Sequence, residues 1–221
     1  MVNDYSNIIG DKQLVKTYSE FQPLEEVIVG SPYDPNSFDE SKVFDQQSKD
    51  LIKRVLSETA EDLETLVDIL KKENVIVKRT KPLHDPLKTY NVGGFEVEFL
   101  NQPLQPRDVL GFYGNKMLEV YTKDRSRYYE NWGARDILKE YFLGGADWIS
   151  MPPPELNKKT YQEYYENSEV LFHNANLIKC GKDIFHSQSN QKDPVKGKGT
   201  EQGLHWFKEQ LPEFRFNEIP V

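Results

Sequence analysis

Apolar positions along the chain follow two different spacings, and each change of spacing marks an element. Pro23-Leu-Glu-Glu-Val-Ile-Val-Gly30 is a short apolar run closed by glycine and predicts a buried strand; Ser31-Pro-Tyr-Asp-Pro-Asn36 is turn chemistry. From Ser41 to Glu73, the residues Leu51, Ile52, Val55, Leu56, Leu63, Leu66, Val67 and Leu70 return at three- and four-residue steps with charges between them, which predicts a long amphipathic helix. Asn74 is placed to stop it, and Val75-Ile-Val-Lys78 reads as another strand. Residues 80 to 108 have no period and carry prolines at 82, 86, 103 and 106.

Val109–Tyr113 and Lys116–Val120 flank Gly114-Asn115, a two-residue hairpin signal. Ser126 is an N-cap for a helix expected to run to about Phe142, with Tyr129, Trp132, Leu138, Tyr141 and Phe142 on its buried side. Gly144-Gly145 ends that helix, and Ala146–Met151 returns as a strand halted by Pro152-Pro-Pro154. The same order then recurs. Leu171–Cys180 and Asp183–Ser187 pair across Gly181-Lys182, where glycine in first place suits a type II′ turn. A loop rich in lysine, glycine and asparagine covers Gln188–Gly199, Thr200 caps a helix to about Gln210, and Phe214–Ile219 starts one more strand. Hairpin, helix, strand thus occupies 109–151 and again 171–219, a repeat of structure with little identity between its copies.

With 221 residues, 37% hydrophobic and 29% charged, the chain has length and apolar content for a real core. A net charge of -8 excludes a nucleic-acid partner, which asks for a basic stripe; the short basic runs at Lys71-Lys72 and Lys192–Lys198 are flanked by acids or glycines and read as solvated surface. No apolar stretch approaches the roughly 20 residues that span a bilayer, and the polar start has no secretory pattern. One cysteine, Cys180, forms no internal disulfide and fits a reducing compartment, so the expected location is cytoplasmic. His173, Cys180, Asp183 and His186 lie near one hairpin, but strand alternation sends His173 and His186 to one face and Cys180 and Asp183 to the other, so no metal site is expected.

Several segments together resemble the arginine:glycine and inosamine-phosphate amidinotransferases. They are Phe21–Gly30, Pro106-Arg-Asp108 with the hairpin ending in Leu118-Glu119, Arg125-Ser-Arg-Tyr-Tyr-Glu130, Ala134–Tyr141, Gly145-Ala-Asp-Trp148, Pro152-Pro-Pro154, Asn174–Phe185 and Gly203-Leu-His-Trp206. The resemblance covers most of residues 20 to 210. It implies an α/β fold, the pentein propeller of strand–strand–helix–strand modules, here incomplete, with 1–20 a polar lead-in and 21–221 a truncated domain.

It also implies amidino-group transfer from arginine to an amine such as glycine or an inosamine phosphate, without a cofactor. Asp108 matches the family aspartate that holds the guanidinium; without the resemblance it reads as a turn-capping residue. Asn176 and Arg127 are the other substrate-contact candidates, Arg127 being weighed against an ion pair with Glu130. The family's Phe-Asp-Ala-Ala-Asp/Asn module reads Phe172-His-Asn-Ala-Asn176 here, so His173 stands where the aspartate supporting the catalytic histidine is expected. An imidazole supplies no fixed negative charge to an imidazolium. The nucleophilic cysteine and catalytic histidine are expected beyond Val221; Cys180 reads as a small buried or turn thiol. The alternative is a non-catalytic module that binds a guanidino compound or a partner. An unclosed propeller is expected to self-associate or take a complementing chain.

Overall fold

The computed structural model describes residues 14–92, 95–97, 100–122, 124–154, 169–187 and 199–219. Most of the Gln188–Gly199 loop, the first part of the lead-in and the tyrosine-rich stretch after Glu155 lie outside them. The chain divides into two compact units: one from the described parts of Met1–Gln22, Arg107–Lys123 and Arg135–Val221, the other from Pro23–Pro106 and Asp124–Ala134.

The second unit begins with β1 (Glu26–Val29), followed by α1 (Gln46–Lys72) and β2 (Ile76–Arg79), and β2 lies parallel to β1. Asp45 caps α1 by accepting from the Ser48 amide at 2.8 Å, and Asn74 takes a positive φ of 62° where the chain leaves it. Of the helix's apolar positions only Leu56 and Val67 are buried, while Leu51, Val55 and Leu66 face solvent. Amphipathic spacing selects a face but not how much of it is covered. The irregular stretch contains an unforeseen short hairpin, β3 (Tyr90–Val92) with β4 (Phe95–Val97).

The first unit holds both repeats. After a one-turn helix α2 (Pro106–Val109), β5 (Leu110–Tyr113) pairs antiparallel with β6 (Lys116–Glu119); α3 (Arg135–Leu143) follows, and β7 (Asp147–Ser150) returns parallel to β6. In the second copy β8 (Leu177–Cys180) pairs antiparallel with β9 (Asp183–Ser187), α4 (Glu201–Gln210) follows, and β10 (Arg215–Ile219) lies parallel to β9. Each copy is a three-stranded sheet with its hairpin first and its returning strand on the hairpin's second strand. Gly114 and Gly181 carry the positive φ of the two turns, 60° and 67°. Thr200 caps α4 by accepting from the Gly203 amide at 3.0 Å.

The core of this unit joins both copies: Tyr113, Leu118, Val120 and Met151 pack with Phe172, Leu177, Ile184, Leu204, Phe207, Leu211 and Phe214. Part of the expected lead-in belongs here too, since Val15 is buried and Thr17 exchanges backbone hydrogen bonds with Gly114. Among the described residues no helix is long and apolar enough to cross a membrane.

Four expectations are corrected. The helix expected from Ser126 to Phe142 is two 3-10 turns, Arg125–Arg127 and Glu130–Ala134, and only then α3. The chain bends at Gly133, where a Cβ would fall 2.6 Å from Pro103 Cβ and where the carbonyl accepts from the Lys81 amide at 2.9 Å. Trp132 and Phe142, expected on the buried side, are exposed. Asp108 sits in the helical turn α2 rather than a loop. The strand expected from Leu171 begins at Leu177, because Asn174–Asn176 form a 3-10 turn; alternation therefore does not extend back from β8 to His173. Cys180 is exposed at the strand end beside its turn.

Candidate functional site

The turn α2 has only four residues, so its last carbonyls find no partners within the helix. The Val109 carbonyl accepts from the Val120 amide at 2.9 Å, and the Arg107 carbonyl is met from the other repeat. The Asn174 side-chain amide donates to the Arg107 carbonyl and to the Leu110 carbonyl, each at 3.0 Å, and so holds the backbone on both sides of Asp108. Its oxygen accepts from the Tyr113 phenol at 2.5 Å. Asn174 is only 7% exposed, and a Cβ on Gly111 would stand 2.5 Å from its oxygen. A glycine at that point of β5 is what lets the amide in.

Asn174 opens the 3-10 turn between His173 and β8, and the Asn176 amide donates back to the His173 carbonyl at 3.0 Å. Asp108 and the pair His173 and Asn176 therefore lie on two turns tied together by one side chain. Asp108 is half-buried, His173 buried and Asn176 half-buried. Arg127 belongs to the other unit, where it is buried and forks onto Glu130, with Nη2 donating to Oε1 at 2.8 Å and Nε to Oε2. That is the ion pair weighed against substrate contact.

The polar groups around Asn174 have altered acidity. Burial pushes the Tyr113 phenol well above the usual phenol range, so it stays a donor. Lys179, on the buried face of β8, donates to the Phe112 carbonyl at 2.6 Å and lies 3.7 Å from Glu20 and 5.1 Å above the Tyr113 ring. Burial lowers its ammonium from the usual lysine range, against the pull of Glu20 in the other direction. Sequence reading missed Asn174, Tyr113 and Lys179. The one signal available was the departure of Phe172-His-Asn-Ala-Asn176 from the family module, which has alanine at the place of Asn174.

The hairpin–helix–strand module in two copies, with the returning strand parallel to the hairpin's second strand, is the pentein module, and the chain has the pentein fold. SxtG, an amidinotransferase from Microseira wollei in the saxitoxin biosynthetic pathway, superposes with a TM-score of 0.74 at 27% identity, covering 93% of this chain and 62% of that one. In sequence, the mitochondrial glycine amidinotransferase of Gallus gallus is 30% identical over 242 residues, with 93% of this chain and 54% of the relative covered. Inosamine-phosphate amidinotransferase 1 of Streptomyces griseus is 31% identical over 214 residues, with 88% and 59% covered. No protein-family model matches the chain. The chain is a homologue of the amidinotransferases over most of its own length, and it spans a little over half the length of these curated relatives.

Proposed function

We propose that this chain carries the guanidinium-recognising part of an amidino-transfer site, with Asp108 as the carboxylate that receives the planar cation. Arginine is the expected donor and an amine such as glycine or an inosamine phosphate the expected acceptor. A carboxylate accepts two parallel N–H bonds from a guanidinium and neutralises its charge, which both binds the donor and fixes the plane of its central carbon. The supporting observation is the double anchoring of the Asp108 turn by Asn174, in a chain homologous to amidinotransferases. Arg127, committed to Glu130, shapes the fold rather than touching the donor in this reading.

A second reading, binding without transfer, is favoured by His173. A buried imidazole occupies the place of a carboxylate, so the negative charge that would steady a catalytic imidazolium is gone.

Calorimetric titration of the full chain with arginine, beside Asp108→Asn, tests the site: binding to the parent and its loss in the variant is the expected result. Transfer is tested by incubating the chain with guanidino-labelled arginine and glycine or another amine, and following labelled product by mass spectrometry. Labelled product excludes the second reading, whereas binding without product is common to both, since the nucleophilic cysteine and catalytic histidine are expected beyond Val221. Binding that Asp108→Asn leaves intact removes both.

A further inference from the structure

We infer that Asn174, locked by Tyr113, is the positioning residue that sets the Asp108 turn to discriminate a planar guanidinium from an ammonium of equal charge. This rests on Asp108 as the guanidinium carboxylate and adds what makes that carboxylate selective.

All of Asn174's hydrogen-bonding capacity that the site uses points one way. Its amide nitrogen has two donors, and both go to backbone carbonyls flanking Asp108, at Arg107 in α2 and at Leu110 where β5 begins. Its oxygen receives the Tyr113 phenol. Turned through 180°, the amide would set its oxygen against two carbonyl oxygens and its nitrogen against the phenol, so two bonds would be lost. Only one orientation satisfies the site.

The phenol that donates to the Asn174 oxygen is itself fixed by the core. The Tyr113 ring meets Phe207 and Phe214 edge-on, each at 6.1 Å between centroids, and is 2% exposed. Both phenylalanines come from the second repeat, so packing around α4 is relayed through Tyr113 and Asn174 to the backbone on either side of Asp108.

Why this bears on selectivity follows from the two cations. An ammonium is a compact point charge that tolerates a range of carboxylate orientations, whereas the guanidinium needs a coplanar carboxylate to make two bonds. A turn free to tilt would still attract either cation, but would lose the second bond to guanidinium. Asn174 is thus a positioning residue, acting through the backbone of Asp108.

The test compares arginine with lysine by calorimetry on the full chain. The parent is expected to prefer arginine, and Asp108→Asn to lose that preference. Asn174→Ala should reduce the arginine-to-lysine preference by about tenfold, the worth of one charge-assisted hydrogen bond, through weaker arginine binding with lysine binding little changed. Asn174→Asp keeps the acceptor for Tyr113 but loses both donors, and should fall at least as far. Tyr113→Phe preserves the ring but removes the donor to the Asn174 oxygen, loosening the amide, so a smaller loss in the same direction is expected. It also carries the test alone if the Asn174 variants do not fold. Equal loss for arginine and lysine, or an unchanged preference, makes Asn174 merely structural and overturns the inference while leaving Asp108 in place. A parent with no preference for arginine, or an Asp108→Asn variant that keeps it, overturns the site reading, and this inference falls with it.

Discussion

The Trp148 indole donates to the Glu119 carboxylate at 3.0 Å, between the parallel strands β7 and β6, with Glu119 only 1% exposed. Arg135, at the start of α3, approaches the same carboxylate at 3.6 Å and lies 5.1 Å from the indole ring. Helix and returning strand of the first repeat therefore meet on one buried charge. Burial raises the carboxyl above its ordinary 4.5, and the pull of Arg135 and the indole only partly offsets this. An acid whose folded pKa is raised costs stability as pH climbs from the unfolded value through the folded one. Glu119→Gln, which keeps an acceptor for the indole, should gain on the parent across that window. Urea unfolding at a series of pH values from 4.5 upward reads this; a gap that does not change with pH would contradict it.

His186 gives a slope of the opposite sign. It is buried on β9, and burial, with Lys208 nearby, lowers its pKa from the ordinary 6.5, against the pull of Glu218. The unfolded chain then binds a proton that the fold refuses, so stability is lost as pH falls below about 6.5. His186→Leu should flatten that acid-side loss. Thermal unfolding between pH 7 and pH 5, compared for parent and variant, checks it.

For Arg127 and Glu130 the two single truncations and the double one make a cycle. Arg127→Met alone leaves the Glu130 carboxylate buried without its fork and should cost about 3–5 kcal/mol, while adding Glu130→Leu should recover much of the loss. Arginine affinity should survive in the double variant. A rescued fold that no longer binds arginine would return Arg127 to the substrate site.

Phe207 lies at the centre of the first unit's core, edge-on to Tyr113 and Phe172 and fully buried. Phe207→Ala should cost about 3–5 kcal/mol in urea unfolding. Because Tyr113 relays that packing toward Asn174, arginine affinity in the folded variant should fall too.

Much of the architecture was legible in short stretches. Gly114-Asn115 and Gly181-Lys182 named their hairpins because few residues accept a positive φ, and Thr200 and Asn74 act at helix ends through local hydrogen bonds and backbone preference. The repeat followed from those signals, and the family module pointed to Asp108, His173 and Asn176. The break at Gly133 did not follow, since its cause is the approach of Pro103 and Lys81, far off in sequence.

By itself, then, the sequence determined the order of elements in the two repeats and the turns of their hairpins, because these rest on neighbours a few residues apart. Tertiary structure decided how much of the apolar side of α1 is covered, that β8 starts only at Leu177, and that Asn174 reaches across more than sixty residues of chain to cap the Asp108 turn. Those outcomes depend on which carbonyls are left without donors once the modules pack, and no local pattern records that.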